Sequence, residues 1–225
     1  MIKSSINPLI IFGNGSMAHA AGQYIFQHNL RQIAAYTVDA KFIDSTSFQG
    51  KPLVPFDAIE TLYAPESYDL IIPLGYWNMN HLRENRLNEA KLKGYQIASY
   101  ISPHCVIAND VQINENSLIY ELAIIRGSTT LGANIIINAG ANIGHHCFIG
   151  ANSFIASGVI TGGNVTIGDY CVIGLGAILR DGISIASGSF IGAGSVVTSD
   201  ITESGLYYGN PAKRQQQSAL EACVY

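Results

Sequence analysis

The sequence predicts two folds in series. Residues 1–102 read as a small α/β domain with a parallel sheet. Residues 103–225 read as a parallel β-helix of six-residue repeats with a short C-terminal tail. Three observations carry that reading. Strand-like and helix-like segments alternate through the first hundred residues, as a parallel sheet with crossover helices requires. The composition changes near residue 103: no lysine occurs between Lys93 and Lys213, and residues 104–200 hold eight charged residues against eighteen isoleucines. From there on, an aliphatic side chain recurs at every sixth position.

Within the first domain, Leu9-Ile10-Ile11-Phe12 predicts a strand and Gly13-Asn14-Gly15-Ser16 a turn out of it. An alanine-rich stretch over 17–29 predicts a helix. Residues 33–38 predict a second strand ending at Asp39, and residues 70–74 a later strand ending at Gly75. Residues 81–93 predict a helix that Gly94 stops, and 95–100 a last strand. The domain is thus Rossmann-like. In such sheets ligands gather at the carboxyl ends of strands, where Gly13, Asn14, Gly15, Ser16, Asp39 and Gly75 all lie. G-N-G-S-M-A falls short of a full G-x-G-x-x-G, because Ala18 holds the last position. It reads either as a plain tight turn or as a nucleotide site, where N–H groups at a helix start face a diphosphate. Asp39 would then accept hydrogen bonds from a ribose or a base. No G-x-x-x-x-G-K-[ST] sequence occurs, which disfavours ATP hydrolysis.

In the second domain the repeat runs Ile107, Ile113, Ile119, Ile125, Leu131, Ile137, Ile143, Ile149, Ile155, then Thr161, then Ile167, Ile173, Leu179, Ile185, Ile191 and Val197. Thr161 alone is not aliphatic. Two residues earlier stands a second, mostly small set that includes Cys105, Cys147 and Cys171. An α-helix has period 3.6, which six does not fit. Short strands with two inward side chains each, separated by turns, do fit it. Glycine often follows the aliphatic position, as at Gly132, Gly144, Gly150, Gly162, Gly168, Gly174 and Gly192. It is expected to relieve backbone strain at the corners. Three hexads make one triangular coil, so about five coils are expected.

The 225 residues carry a net charge of −4 and are 48% hydrophobic and 12% charged. Mean hydropathy is +0.22 and the isoelectric point about 5.8. A protein that binds phosphate backbones carries a basic stripe, so no nucleic-acid partner is expected. No apolar run is long enough for a transmembrane helix. Met1-Ile2-Lys3-Ser4-Ser5 does not begin a signal peptide, so no membrane insertion and a cytoplasmic location are expected. The four cysteines form no C-x-x-C pair and read as small buried side chains.

The candidate chemistry lies at His145 and His146, which occupy no inward position, since Ile143 and Cys147 take those, and so stand near a corner. Taken alone they read as surface histidines. His145 is also a candidate general base, since imidazole titrates near neutrality. Downstream, Thr161-Gly162-Gly163-Asn164-Val165 interrupts the aliphatic series and leaves backbone open to a ligand.

A glycine turn, a small α/β domain, hexapeptide coils, I-N-A-G-A-N-I-G-H-H-C-F-I-G, G-N-V-T-I-G and a closing G-N-P-A-K follow one another from Leu9 to Arg214. That order resembles the bacterial nucleotide-sugar N-acetyltransferases of the PglD type and the related NeuD-type sialic acid O-acetyltransferases. The resemblance implies a left-handed coil and a homotrimer with the coenzyme groove between adjacent coils. It implies acetyl-CoA, or a longer acyl-CoA, as cosubstrate. It implies that His145 takes a proton from the amine of a nucleotide-linked amino-deoxy sugar, a UDP-, dTDP- or GDP-4-amino-4,6-dideoxyhexose destined for surface glycan. Asn138 would orient the imidazole. The N–H of Gly163 would polarise the thioester carbonyl and stabilise the oxyanion. Gly174, Leu175 and Ala193 would line the pantetheine arm, and Lys213 lies in the stretch that closes over coenzyme A. Gly13 to Ser16, with Asp39 and Gly75, would hold the nucleotide-sugar.

The sequence departs from that pattern. His146 stands where the family has a carboxylate beside its histidine. Phe154 replaces its second, coenzyme-facing histidine, and Met17 the histidine that ends its glycine turn. Residues 76–80, Tyr-Trp-Asn-Met-Asn, either pack locally or shape a sugar or base pocket. Arg83 has a family counterpart; by itself it reads as a solvated cation. Three other activities use similar coils. An O-acetyltransferase of a sialic-acid-like sugar would use the same histidine on a hydroxyl. A hydratase like the γ-class carbonic anhydrases needs three histidines around zinc, and the coils add only His104 to the pair. A non-catalytic trimeric scaffold would bind no coenzyme A. No metal is expected.

Overall fold

The computed structural model describes residues 7–223. Met1 to Ser5, read above for a leader, lie outside the described residues. The first domain is a six-stranded sheet with a central parallel core. β1 (Leu9–Phe12), α1 (Ser16–Gln27), β2 (Ile33–Val38), β3 (Ser47–Phe48), β4 (Lys51–Pro55), β5 (Asp69–Ile71), α2 (His81–Leu92) and β6 (Gln96–Ile97) follow in chain order. They assemble side by side as β3-β4-β2-β1-β5-β6. β1 is central and buried on both faces, so it reads as four consecutive apolar residues. The carboxyl ends of β2 and β5 therefore flank the glycine turn that leaves β1.

The second domain is a triangular β-helix of two-residue strands. Its three walls are parallel ladders in which each strand pairs with the one eighteen residues on, as Ile136–Ile137 does with Phe154–Ile155. The first wall holds Tyr100–Ile101, Leu118–Ile119, Ile136–Ile137, Phe154–Ile155, Val172–Ile173 and Phe190–Ile191, extended by Leu206–Gly209 and Ala212–Arg214. The second runs from Val106–Ile107 to Val196–Val197 and the third from Gln112–Ile113 to Ser184–Ile185. The second member of each pair points inward. Ile119, Ile137, Ile155, Ile173 and Ile191 are fully buried in this stack, each contributing about 1.5–3 kcal/mol of hydrophobic stabilisation. Thr161 is inward too, and its hydroxyl accepts the Gly144 N–H at 2.9 Å, so the one polar inward side chain in the six-residue series has a backbone partner.

The corner glycines act otherwise than the sequence suggested. The left-handed conformation falls on every sixth residue from Asn116 through Ser128, Gly140, His146 and Asn164 to Gly194. That is two residues after Gly144 and Gly162, which are not left-handed. Gly144 is glycine because a Cβ there would overlap the backbone of Gly162 and Gly163 in the next coil.

The domains are bolted together along the third corner, where the chain passes from third wall to first. Asn116, Asn134 and Asn152 form a ladder of amide bonds of 2.6 and 2.7 Å. Asn116 also pairs with the Ile72 backbone in both directions. Arg83, expected to be solvated, is fully buried in this seam. It donates to the carbonyls of Leu74 at 2.9 Å, Asn134 at 3.0 Å, and Gly75 and Ser153 at 3.3 Å. Burial pulls its guanidinium down to about 9, still charged at neutral pH. The outward faces of the first wall (Tyr100, Leu118, Ile136, Phe154, Val172 and Phe190) are all buried, matching the side on which the α/β domain docks.

Candidate active site

The structure sorts the site residues into three places. The first is the carboxyl edge of the sheet. Gly13, Gly15, Ser16 and Gly75 line one small cavity of about 130 Å³, shared with Met17 and Trp77. Gly15 caps α1 without a side-chain hydrogen bond, and no acidic residue occupies the first turn. The first-turn N–H groups are thus served by no capping side chain and carry the positive end of the helix dipole. A Cβ on Gly15 or Gly75 would meet nothing within 4 Å, so both backbones face open space. Asn14 and Asp39 are committed elsewhere: the Asn14 amide donates to Phe42 O at 2.9 Å, and Asp39 pairs with Arg86 of α2 at 2.8 Å.

The second place is the first corner of the coil, between first and second walls. Asn138, Gly174, Leu175 and Ala193 line a groove of about 320 Å³ with Ala156, Ser157, Val172 and three aromatic rings. The rings are Tyr76, Phe154 and Phe190; Tyr76 meets Phe154 edge-on with centroids 4.9 Å apart. The groove is a narrow, largely apolar trough of the kind that takes an extended chain, and it fits a pantetheine arm. The Asn138 amide donates to Ile155 O at 3.1 Å. Lys213 lies exposed on the closing strand pair, opposite Tyr208.

The third place is the second corner, between second and third walls. His145 and His146 are both exposed there, with their Nδ1 atoms 3.0 Å apart. The His145 ring lies over Gly163: a Cβ at 163 would fall 2.5 Å from Cε1 and 2.6 Å from Nε2. The expected free N–H of Gly163 is engaged, donating to Asp181 Oδ1 at 2.9 Å. The same corner satisfies Ser128 N–H with Asp110 in like fashion. What Gly163 supplies in this structure is the space that lets the imidazole lie flat on the coil.

One chain therefore does not unite His145 with Asn138 or with the groove. They stand on the two edges that bound the second wall. The outward face of that wall is mostly apolar, with Asn142 as its polar member: Val106 is 64% exposed, Ile160 46% and Ile178 43%.

Comparison with known proteins places this geometry. Residues 141–167 and 164–199 match the family described as the hexapeptide repeat of succinyl-transferase. No curated protein matches the chain in sequence. Solved structures match it over almost its full length. A perosamine N-acetyltransferase from Caulobacter crescentus, with one histidine replaced by asparagine and in complex with CoA and GDP-perosamine, superposes with a TM-score of 0.85. The two are 25% identical over 95% of this chain and 99% of that one. The acetyltransferase domain of PglB from Neisseria gonorrhoeae FA1090 gives 0.83 at 24% identity, over 93% and 100% of the two chains. WeeI from Acinetobacter baumannii AYE gives 0.82 at 22%, over 92% and 99%. The fold is that of these acetyltransferases. It is a hexapeptide-repeat fold behind an α/β domain, as the repeat and the glycine turn indicated.

The sequence missed Asp181, and it singled out residues 76–80 without placing Tyr76 in the groove or Trp77 at the small cavity. Asp181 lies eighteen residues after Gly163, one coil on, and that spacing was the available signal. Among the described residues, no three His, Cys, Asp or Glu side chains gather to hold a metal ion. His104, the third histidine a zinc site would use, meets His28 edge-on at 5.0 Å instead. Among the described residues no helix is long and apolar enough to cross a membrane. A further concavity of about 1150 Å³ lies between Asn78, Met79, His81, Tyr170 and the tail and touches none of the site residues.

Proposed function

We propose that this protein is an acetyl-CoA-dependent N-acetyltransferase acting on the 4-amino group of a nucleotide-linked 4-amino-4,6-dideoxyhexose, in the cytoplasm, for surface glycan. One observation carries the reading: both domains, in the same order, superpose on a perosamine N-acetyltransferase holding CoA and GDP-perosamine, at 25% identity over 95% of the chain. The residues present fit that chemistry. The glycine turn at the uncapped start of α1 suits a diphosphate. The loop 76–80 leads from there to the coil, with Trp77 at the nucleotide cavity and Tyr76 in the groove.

The working site takes two copies of the chain. The edges bearing His145 and the groove flank one apolar wall, and a closed rotational assembly lays that wall against its neighbour. In a homotrimer the imidazole of one copy then faces the groove of the next. There His145 Nε2 removes the proton from the attacking amine. The nitrogen bonds to the thioester carbon, the C–S bond breaks, and the imidazolium returns the proton to the thiolate. The products are an amide and free CoA thiol. The Gly163 N–H reaches the developing oxyanion only when Asp181 releases it.

The test is thiol release from acetyl-CoA with UDP-, dTDP- and GDP-linked 4-amino-6-deoxy sugars. One of them is expected to support turnover, and His145→Ala to lower it about 10²–10⁴-fold. No release with any of these sugars, or full turnover in the variant, would contradict the reading.

A further inference from the structure

His145 stands where a base needs an orienting partner, and the residue beside it is a second imidazole. Their Nδ1 atoms are 3.0 Å apart with the ring planes at 87°. Two bare nitrogens repel at that distance, and so do two protonated ones. One must therefore hold the hydrogen and the other the lone pair. Only one arrangement leaves His145 able to take a proton at Nε2: its Nδ1–H donates to a bare Nδ1 on His146. In the reverse arrangement a neutral His145 carries its hydrogen on Nε2 and has no lone pair there.

We propose that His146 is a positioning residue whose neutral Nδ1 accepts the Nδ1–H of His145, fixing the tautomer that leaves His145 Nε2 bare. It thereby orients the base without a negative charge. The inference rests on the acetyl-transfer reading of His145. The His146 backbone is itself fixed, its N–H donating to Gly127 O at 3.0 Å. Along this corner the charged groups are Asp110 and Arg126 in the coils below, Arg180 and Asp181 two coils above, and Asp200 beyond them, held by the Ser184 N–H at 2.9 Å. Asp181 is occupied by the Gly163 N–H. Asp110, held by the Ser128 N–H and hydroxyl at 2.8 and 3.1 Å, lies within electrostatic reach of His146.

The arrangement has a sign with pH. A proton added to His146 goes to its bare Nδ1. The contact then survives only with His145 as acceptor, and the base is lost.

The experiment measures kcat and both KM values against pH for the wild type, His146→Ala and His146→Asp, with melting temperatures. His146→Ala is expected to lower kcat roughly 10- to 100-fold, the usual cost of removing a group that orients a histidine. Both KM values should stay unchanged, and the melting temperature should fall by no more than about 2–4 °C, because the backbone at 146 is left-handed and suits alanine less well than histidine. His146→Asp is expected to restore most of kcat and to move the acid limb to higher pH, because a carboxylate accepts the same N–H and holds the imidazolium. Wild-type kcat and profile in His146→Ala would overturn the proposal. So would equal losses in both variants when both are fully folded at the assay temperature. If the wild type itself acetylates no amino sugar, nitrogen-15 NMR of the histidines at pH 8 decides: hydrogen on His145 Nδ1 supports the proposal and hydrogen on Nε2 overturns it.

Discussion

Gly163 shows how one missing side chain lets an imidazole lie flat on the coil. Its backbone is not left-handed, so alanine meets no conformational penalty there. The added methyl would fall 2.5 Å from the His145 ring, and the exposed ring would swing outward. Gly163→Ala is therefore expected to lower kcat about 10²-fold, the scale of a misplacement near 1 Å, while leaving the melting temperature close to that of the wild type. Steady-state kinetics and a thermal melt check both halves. At this scale the sequence was legible in part. His145 was singled out from its neighbours in the motif, and the series break at Thr161 fell in the coil whose Gly163 lies under that ring. The bond from Gly163 to Asp181 was not legible, because it joins residues a full coil apart. Nor was the burial of Arg83, since nothing local distinguishes a helix arginine that faces solvent from one that faces a seam of carbonyls.

Among the elements, the loop 76–80 and α2 tie the two domains together. Arg83 of α2 is the fixing point, because its fork reaches carbonyls of both domains at once. Arg83→Ala leaves those oxygens without a buried donor. The expected cost is about 3 kcal/mol, or a fall in melting temperature of about 6–12 °C for a chain of this size. Arg83→Lys is not expected to rescue it, since an ammonium cannot span the fork. Differential scanning calorimetry measures this. The elements were largely legible: β1 and β2 have the bounds the apolar runs gave, and α2 ends one residue earlier. The stretch 95–100 read as one strand but divides between two sheets. Gln96–Ile97 joins β5 and Tyr100–Ile101 is the first rung of the coil. Strand-like character in a stretch of sequence cannot show which sheet a strand joins. The hairpin β3–β4 was missed, although left-handed Gln49 and Gly50 make its turn.

Over the whole molecule, the proposed assembly and the alkaline limit of the fold follow from what is buried. Burial pushes Tyr95 up to about 12 and raises Tyr36, Tyr63, Tyr100 and Tyr120 as well. The hydrogen bond to Glu84, ahead of burial, raises Tyr170 to about 12. A phenol whose folded value is raised contributes stability in full below its unfolded value near 10, and loses it as pH climbs through the folded value. Arg83 works the other way over part of that range, because its folded value is lowered. Six phenols against one guanidinium set the direction. The melting temperature is expected to fall between about pH 10 and 12, and a pH series of melts checks it. The fold at this scale was legible because a period of six admits few architectures. The assembly was suggested only by resemblance, since one chain's sequence does not say which edges of a prism meet.

Mixed assemblies test the shared site most directly. His145→Ala removes the base from one edge, and Ala193→Trp fills the groove on the other. Each variant alone is expected to be inactive. Co-expressed and purified together, they should regain about a quarter of wild-type turnover, the share of sites in a randomly mixed ring that pair an intact imidazole with an intact groove. A mixture as inactive as its parents would show that base and groove act within one chain, and would contradict the account.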